Sequence, residues 1–331
     1  MRYLGNTKMH IKRVGFGGIP IQRVDQQTTN EIIDELIKND MNYIDTARAY
    51  TVSEGYIGNA IQGKRDKFFI ATKSMSRDYD GMKKDVEESL AQLKTNKIDL
   101  YQLHNVKEHE LEIILGENGA YKALEEAKQQ GKIDYIGITC HSLEALTKAL
   151  DTDKFSTMQF PLNIVENQGE EIFKKAHEKG IGTVVMKPLA GGALDDATLA
   201  IKYLLSKDYV DVVIPGMESI DQVNQNVDVL NNPELTDEDN SKIEKIREEL
   251  GQKFCRRCEY CLPCPKGINI PQNFLLEGYY TRYNLQEWAK DRYSSMDIKA
   301  DECVACGLCE SRCPYDLPII DMLKNVSQKL N

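Results

Sequence analysis

Residues 42–62 read NYIDTARAYTVSEGYIGNAIQ, a short apolar run that ends in Asp45 and is followed by helical periodicity from Ser53. The same alternation of a β-branched run with a longer helical segment occurs eight times between residue 14 and about residue 230. The predicted strands are Val14–Ile19, Asn42–Asp45, Phe68–Thr72, Ile98–His104, Tyr135–Thr139, Ser156–Phe160, Thr183–Met186 and Val210–Ile214. Eight such units predict an α/β fold, the (β/α)8 or TIM barrel.

An open, doubly wound parallel sheet is the alternative for this alternation. That fold would normally carry a G-x-G-x-x-G fingerprint after its first strand. The sequence has only Gly15-Phe16-Gly17-Gly18 at this position, and its glycine spacing does not match. We therefore interpret these glycines as a tight turn, and the preceding Tyr3–Val14 as a small hairpin that covers the barrel floor.

Composition and charge limit the classes of function. The chain has 331 residues, of which 41% are hydrophobic, and 42 basic against 52 acidic residues give a net charge of −10. An acidic surface predicts no nucleic-acid or anionic-lipid partner, and no apolar run reaches the roughly 18 residues of a membrane helix. Residues 1–6, MRYLGN, lack the apolar core of a secretory signal. We therefore expect a cytoplasmic protein.

Eight of the nine cysteines lie between Cys255 and Cys313, which in a cytoplasmic protein indicates metal binding rather than disulfides. The first group is C-x-x-C-x-x-C-x-x-C-P and the second is C-x-x-C-x-x-C-x-x-x-C-P. The second group matches the bacterial ferredoxin run, in which the fourth cysteine ligates the other cluster. Two four-cysteine zinc sites are the alternative, but zinc ribbons use two separate C-x-x-C pairs.

Crossing the fourth ligands predicts two 4Fe-4S clusters. The first would be held by Cys255, Cys258, Cys261 and Cys313, and the second by Cys303, Cys306, Cys309 and Cys264. The 38 residues from 265 to 302 between the two groups are too many for the turn of a compact ferredoxin. We therefore expect a small, mainly α-helical ferredoxin-like domain.

These patterns predict three parts of the chain: a barrel at residues 1–232, a linking helix at 233–251 and the two-cluster domain at 252–331. The linking helix begins with Thr236-x-x-Asp239, which resembles a capping box.

Polar side chains follow three neighbouring predicted strands of the barrel, where the active sites of such barrels lie. Asp45 ends the second strand with Tyr50 five residues later, Lys73 follows the third strand, and His104 ends the fourth. An ammonium favours the phenolate form of a nearby tyrosine, and a carboxylate keeps that ammonium charged and oriented. With a histidine to position a carbonyl oxygen, this set can protonate that oxygen as hydride reaches the carbon.

On these residues the first 230 or so positions resemble the aldo-keto reductase family, with Asp45, Tyr50, Lys73 and His104 matching its catalytic tetrad. The resemblance implies a nicotinamide cofactor, NADH or NADPH, bound across the barrel mouth without a Rossmann motif. It also implies cofactor contacts from Thr139, Cys140 and Gln159 to the carboxamide, from Met186, Lys187, Leu189 and Gly191 along the pyrophosphate, and from Gly216, Glu218, Gln222, Gln225 and Asn226 to the adenosine.

The chain departs from NADP-dependent members of the family in the adenosine segment. These members usually place cations where this chain has Gly216 and Gln222, and Glu218 would repel a 2′-phosphate. We therefore expect NADH to be used at least as well as NADPH.

The sequence thus predicts an oxidoreductase that interconverts a small carbonyl compound and an alcohol. Its iron–sulfur domain would either exchange electrons, for instance with a redox partner protein, or have a structural role. Hydride carries two electrons and each cluster takes one; a flavin could bridge that difference, but no flavin motif is present. The alternative is an electron-transfer or redox-sensing protein whose barrel docks a flavin or a partner. The complete tetrad argues against it, because a binding role needs no such set.

Overall fold

The computed structural model describes residues 1–251, 253–257, 260–282, 285–313 and 315–331. The chain forms two compact units. The first, which we call the barrel unit, consists of Met1–Asn163, Asn167–Pro188 and Asp196–Leu235. The second, which we call the cysteine-rich unit, consists of Ile164–Glu166, Leu189–Asp195 and Thr236–Asn331.

The barrel unit contains an eight-stranded parallel sheet preceded by an antiparallel hairpin. The hairpin strands are β1 (Arg2–Tyr3) and β2 (His10–Ile11), and the sheet strands are β3 (Phe16–Gly17), β4 (Tyr43–Asp45), β5 (Phe69–Ser74), β6 (Ile98–Leu103), β7 (Ile133–Thr139), β8 (Thr157–Pro161), β9 (Gly182–Met186) and β10 (Val212–Val213). Neighbouring strands follow chain order from β3 to β10. Parallel bridges from Val14 to Val213 and from Gly17 to Gly216 join the two ends. The predicted (β/α)8 barrel is confirmed, with all eight strands where the apolar runs placed them.

Helices follow the strands, as the sequence predicts. They are α1 (Gln26–Lys38), α2 (Ser53–Ala60), α3 (Tyr79–Gln92), α4 (Leu111–Leu115), α5 (Ala120–Gln129), α6 (Leu143–Asp151), α7 (Glu170–Glu178), α8 (Ala197–Leu205), α9 (Ile220–Asp228), α10 (Asp237–Gly251), α11 (Ile270–Arg282), α12 (Gln286–Ser294), α13 (Leu308–Ser311) and α14 (Ile319–Leu330). Short 3-10 helices lie at Ile19–Arg23, Arg65–Lys67, Glu108–Glu110, Val229–Asn231 and Ala300–Glu302. In the described part of the chain, no helix has both the length and the apolarity to cross a membrane.

Side-chain hydrogen bonds at the N-termini of α1 and α10 explain where these two helices begin. Helix α1 begins at Gln26, because the Asp25 side chain accepts a hydrogen bond from the Thr28 amide at 2.8 Å and acts as the N-cap. The capping box before α10 is confirmed. The Asp239 amide donates to Thr236 Oγ1 at 3.1 Å, and the Thr236 amide donates to Asp239 Oδ2 at 3.0 Å.

The lower part of the barrel interior is filled by the hairpin and by alternate residues of the strands. Leu4, Met9 and Ile11 of the hairpin region pack in one buried cluster with strand residues. The strand members of this cluster are Tyr43, Ala71, Leu100, Val184, Val212 and Ile214. Because side chains two residues apart in a strand share a face, Asp45, Lys73 and Gln102 belong to the same inner face as Tyr43, Ala71 and Leu100. The floor is thus apolar and the layer above it is polar.

The cysteine-rich unit has its own apolar core and is mainly helical, as predicted. Residues of α11, α12 and α14 contribute to it, with Tyr293 and Ala289 fully buried. The Tyr293 hydroxyl accepts a hydrogen bond from the Ala300 amide at 3.1 Å, which ties α12 to the following turn. Trp288 is 43% exposed and meets Tyr279 edge to face, so it lies at the margin of this core.

The packing of α2 against the end of α3 requires a glycine at position 58. A Cβ atom there would lie 2.1 Å from the carbonyl oxygen of Gln92 and 2.7 Å from Leu93 Cα, and neither backbone atom can rotate away. We expect Gly58→Ala to lower the free energy of unfolding of the barrel by roughly 1–3 kcal/mol through overpacking. Urea unfolding followed by far-UV circular dichroism measures it. Gly55→Ala is the matched control, because its Cβ meets only the Gln92 side chain; equal losses in both variants would contradict the argument.

Candidate active site

The core of the candidate site is a buried ion pair inside the barrel. Strand β4 ends in Asp45 and β5 carries Lys73, and Lys73 Nζ lies 2.5 Å from Asp45 Oδ1. Both side chains are at least 97% buried. Lys73 Nζ also donates to the Thr46 carbonyl oxygen at 2.8 Å, and Gln102 Nε2 donates to Asp45 Oδ2 at 3.2 Å. Each charge therefore has a second polar partner, as a buried charge requires.

Burial acts against both charges of this pair. It raises the pKa of the Asp45 carboxyl and lowers the pKa of the Lys73 ammonium, while the attraction between them opposes both changes. Removing one partner would leave the other as an uncompensated buried charge. The protonation of each group is therefore controlled by the other.

Gly137 on β7 makes room for the glutamine that orients Asp45. A Cβ atom at Gly137 would lie 2.3 Å from Thr157 Oγ1 and 3.1 Å from the Gln102 side chain. Gln102 is not among the site residues predicted from the sequence. A polar residue two positions before His104 in an apolar strand nevertheless indicates a side chain on the same face as His104.

The other two predicted catalytic residues lie beside the ion pair. The rings of Tyr50 and His104 meet edge to face with centroids 5.9 Å apart. Lys73 Nζ lies 5.1 Å from the centroid of the Tyr50 ring. Tyr50 and His104 are half-buried, whereas Asp45 and Lys73 are buried. The structure thus brings all four predicted residues together, with the ion pair inside and the phenol and imidazole toward the opening.

His104 is held neutral. Burial, together with the nearby charges of Lys73 and Arg77, lowers its pKa to about 3. The Arg77 guanidinium donates to the His104 carbonyl oxygen at 2.9 Å and pairs with Glu110 at 3.0 Å. The buried Nδ1 atom of His104 has no hydrogen-bond partner among the described residues. A neutral imidazole can donate a hydrogen bond to a carbonyl oxygen without adding a charge to the site.

Strained backbone surrounds this opening. Thr51, Asn105 and Lys187, which follow β4, β6 and β9, have φ angles of 40°, 53° and 56°. Non-glycine residues adopt such angles rarely, and for a β-branched residue such as Thr51 the cost is largest. Strain of this kind concentrates at functional sites.

The residues that the family resemblance assigns to the nicotinamide carboxamide lie on β8 and at the end of β7. Thr139 Oγ1 accepts a hydrogen bond from the Asn105 amide at 2.7 Å, and Cys140 is fully buried. Burial raises the pKa of the Cys140 thiol, so it stays protonated. Gln159 Nε2 approaches Met186 Sδ at 3.7 Å, and its buried Oε1 has no hydrogen-bond partner among the described residues.

The residues assigned to the phosphates fall in two units. Lys187 belongs to the barrel unit, where its carbonyl oxygen accepts from Asn163 Nδ2 at 3.1 Å. Leu189 and Gly191 belong to the cysteine-rich unit, in which Arg282 Nε donates to the Gly191 carbonyl oxygen at 3.1 Å. The seven residues from 186 to 192 therefore do not form one uninterrupted loop of the barrel unit.

The segment assigned to the adenosine consists of the loop after β10 and part of α9. Gly216 and Gln225 are exposed and Asn226 is buried. Gln222 is half-buried, and its Oε1 accepts from the Glu218 amide at 2.8 Å.

A cation that the sequence analysis missed lies beside this segment. Arg23, at the end of the 3-10 helix that follows β3, approaches Glu218 Oε2 with Nε at 2.8 Å and with a terminal nitrogen at 2.7 Å. Glu218 is therefore neutralised by a cation almost 200 positions away, and the expectation that Glu218 repels a 2′-phosphate did not include this cation. No local pattern could have revealed this pair.

Two cavities in the cysteine-rich unit are lined by the predicted cluster ligands. One cavity is lined by Cys255, Cys261 and Cys313, and Cys258 lies outside the described residues. A second cavity is lined by Cys264, Cys303, Cys306 and Cys309. Cys313 thus joins two described cysteines of the first group, and Cys264 joins three of the second, as crossed ligation requires.

Among residues 1–251 and the described residues of the tail, no three or more His, Cys, Asp or Glu side chains are grouped to hold one metal ion. A four-cysteine zinc site would need four sulfur atoms about 2.3 Å from one centre. The described cysteines form no disulfide with one another.

Comparison with known families agrees with both units. A model of the aldo/keto reductase family matches residues 13–198 and 195–248, and a model of a 4Fe-4S dicluster domain matches residues 254–318. The chain belongs to the aldo/keto reductase family and carries a C-terminal 4Fe-4S dicluster domain. It is an oxidoreductase.

Individual relatives match most of the barrel. The chain is 27% identical to the uncharacterized oxidoreductase YqkF of Bacillus subtilis (strain 168), over 72% of this chain and 93% of that protein. It is 26% identical to L-galactose dehydrogenase of Arabidopsis thaliana, over 76% of this chain and 95% of that protein. The solved structure of aldo-keto reductase AKR11C1 from Bacillus halodurans, in its holo form, is similar with a TM-score of 0.66 and 29% identity, over 74% of this chain and 95% of that one.

The Asp45–Lys73 pair allows the cost of an unpaired buried charge to be measured. We expect Lys73→Met to cost roughly 3–5 kcal/mol of unfolding free energy, because it leaves Asp45 buried without its partner. The double variant Asp45→Leu with Lys73→Met should regain most of that stability, since an apolar pair of similar volume needs no compensation. Chemical unfolding of the two variants measured side by side tests this; a double variant no more stable than the single one would refute it.

Proposed function

We propose that the barrel interconverts an aldehyde or ketone and the corresponding alcohol, with NADH or NADPH as the hydride carrier and Asp45, Tyr50, Lys73 and His104 as the catalytic residues. The observation that carries the proposal is the placement of a phenol and a neutral imidazole beside a buried lysine–carboxylate pair. The family membership of residues 13–248 supports it.

Two buried polar atoms fit a bound nicotinamide. Gln159 Oε1 can accept a hydrogen bond from a carboxamide nitrogen, and no described residue supplies one. Thr139 Oγ1 accepts from a backbone amide and retains a proton to donate. A reduced nicotinamide, when bound, supplies hydride to the carbonyl carbon. Thr139 and Gln159 would hold its carboxamide, and the segment from Gly216 to Asn226 would contact the adenosine.

Tyr50 carries the proton in this proposal. Its phenol donates to the carbonyl oxygen during reduction and accepts the proton back during alcohol oxidation. The Lys73 ammonium stabilises the phenolate that remains, and Asp45 keeps that ammonium charged despite its burial. His104, neutral above about pH 3, donates a hydrogen bond to the same oxygen and fixes its position.

The cysteine-rich unit, in this proposal, holds two 4Fe-4S clusters with crossed fourth ligands. One cavity lined by three described cysteines and another lined by four support it. Residues 1–232 would then carry the hydride chemistry, residues 233–251 would link, and residues 252–331 would exchange single electrons with a redox partner protein.

Tyr50→Phe tests the assignment of the proton donor. We expect the turnover number for carbonyl reduction to fall by about 10²–10⁴-fold, because phenylalanine keeps the ring but removes the proton. Nicotinamide binding, followed by fluorescence titration, should change little. A variant with full activity would remove Tyr50 from the mechanism.

The choice between NADH and NADPH is tested at Glu218. We propose that NADH is used at least as well as NADPH, because Glu218 occupies Arg23 and so keeps its guanidinium from pairing with a 2′-phosphate. Glu218→Gln should release the guanidinium and improve kcat/KM for NADPH relative to NADH by about tenfold, the size of one charge-assisted hydrogen bond. Arg23→Gln is the control and should not show this gain. An unchanged cofactor ratio in Glu218→Gln would place the 2′-position elsewhere.

A further inference from the structure

Tyr50 lies on the loop of residues 46–52, which joins β4 to α2. The residues on either side of it, Ala49 and Thr51, are exposed, so their side chains do not pack in the core. Thr51 also has a φ angle of 40°, and its hydroxyl donates to Gln22 Oε1 at 3.2 Å near the surface. The position of the Tyr50 ring therefore depends on anchors elsewhere in the loop.

Hydrogen bonds to the backbone fix both ends of this loop. The Arg48 amide donates to the Lys73 carbonyl oxygen at 3.0 Å, so the first half of the loop runs along β5. At the far end, Ser53 Oγ donates to the Gly18 carbonyl oxygen at 2.9 Å. The side chain of Arg48 supplies a further anchor between these ends.

Glu54, the second residue of α2, is a buried carboxylate that ties this arginine to β5. The residue is 2% exposed. A terminal nitrogen of Arg48 donates to Glu54 Oε2 at 2.5 Å, and Thr72 Oγ1 donates to Glu54 Oε1 at 2.6 Å. Thr72 is fully buried and directly precedes Lys73 in β5. We call Arg48, Glu54 and Thr72 the Glu54 clamp. It connects the neighbourhood of Tyr50 with that of Lys73.

Other charged groups lie around the Glu54 clamp. The second terminal nitrogen of Arg48 pairs with Glu88 Oε2 at 2.5 Å, and Glu88 Oε1 lies 3.7 Å from Lys84 Nζ. The Glu88 side chain is 42% exposed, so water weakens its attraction to Arg48, whereas the pair with Glu54 is shielded. Burial lowers the pKa of Lys73, and the charge of Glu54 is among those that raise it. Of the two carboxylates of Arg48, Glu54 is therefore the one that reaches the site.

We propose that Glu54 is a positioning residue, which holds the loop through Arg48 and Thr72 so that the Tyr50 phenol stays beside the Lys73 ammonium. The proposal rests on the proposed function, in which Tyr50 gives the proton and Lys73 stabilises the phenolate. Lys73 Nζ lies 5.1 Å from the centroid of the Tyr50 ring. A proton donor must lie within hydrogen-bond reach of the carbonyl oxygen, and a displacement of about 1 Å can cost about 10²-fold in rate. Glu54 itself transfers no proton.

Thr72→Val in the full-length protein tests this, because valine keeps the shape and charge of the site but removes one bond of the Glu54 clamp. With NADH and the fastest substrate of a panel of straight-chain and aromatic aldehydes, we expect kcat to fall by at least about tenfold. The dissociation constant of NADH, measured by fluorescence titration, should stay unchanged. Thr72→Ser, which keeps the hydroxyl, should restore most of the rate.

Thr183→Val is the matched control. Thr183 is a fully buried threonine of β9 whose Oγ1 donates to the Tyr209 carbonyl oxygen at 2.6 Å. The same substitution there should cost stability in chemical unfolding but leave kcat near the wild-type value. An equal fall of kcat in Thr183→Val and Thr72→Val would overturn the inference.

A double-variant cycle shows whether the effect passes through Tyr50. In the Tyr50→Phe background, Thr72→Val should change the residual kcat little, whereas a general distortion of the barrel would lower both rates by the same factor. Equal factors, or wild-type kcat in Thr72→Val alone, would overturn the inference. If Thr72→Val does not fold, Arg48→Met with Glu54→Met removes both charges together and must give the same pattern. Full activity in Tyr50→Phe alone rejects the proposed function instead.

Discussion

The buried ion pair between Lys73 and Asp45 is the interaction on which the barrel's site depends. Two charges at least 97% buried are tolerable only when attraction and hydrogen bonding replace their lost hydration. The barrel supplies these through the Thr46 carbonyl oxygen and the Gln102 amide. Gly137 in turn leaves the space that Gln102 occupies. An apolar floor beneath, sealed by the hairpin, keeps this polar layer away from water on that side.

The same burial distributes protons among the candidate catalytic groups. Desolvation favours the neutral form of each group, and only a group with a close opposite charge resists it. Lys73 has such a partner in Asp45, whereas His104 faces the cations of Lys73 and Arg77 and stays neutral. A charged amine and a neutral imidazole therefore flank Tyr50. This distribution follows from the positions of four side chains rather than from their intrinsic acidity.

Burial also distinguishes the charged groups of the cysteine-rich unit. Its two cavities have matching sets of cysteines, yet one is lined by a buried arginine and the other by an exposed lysine. The unit also includes residues 164–166 and 189–195, which follow strands β8 and β9. Part of the predicted phosphate loop therefore belongs to this unit. The predicted boundary cuts the chain once, at residue 232, whereas the second compact unit consists of three separate stretches of the chain.

Periodicity alone determined the eight strands and the barrel class, because burial on one face imposes a pattern that needs no knowledge of distant contacts. The 38 residues between the two cysteine groups predicted the helical character of the tail. The spacing of the cysteines likewise predicted which of the described thiols line each cavity. The five-residue step from Asp45 to Tyr50 and the order of Lys73 and His104 were also readable, since parallel strands end at one edge. Tertiary structure alone decided the pairing of Arg23 with Glu218, the support of Asp45 by Gln102, and the burial of Arg256 against Tyr315. Each of these joins residues that are far apart in the chain, and the strength of a charge depends on the dielectric surroundings that only the folded protein creates.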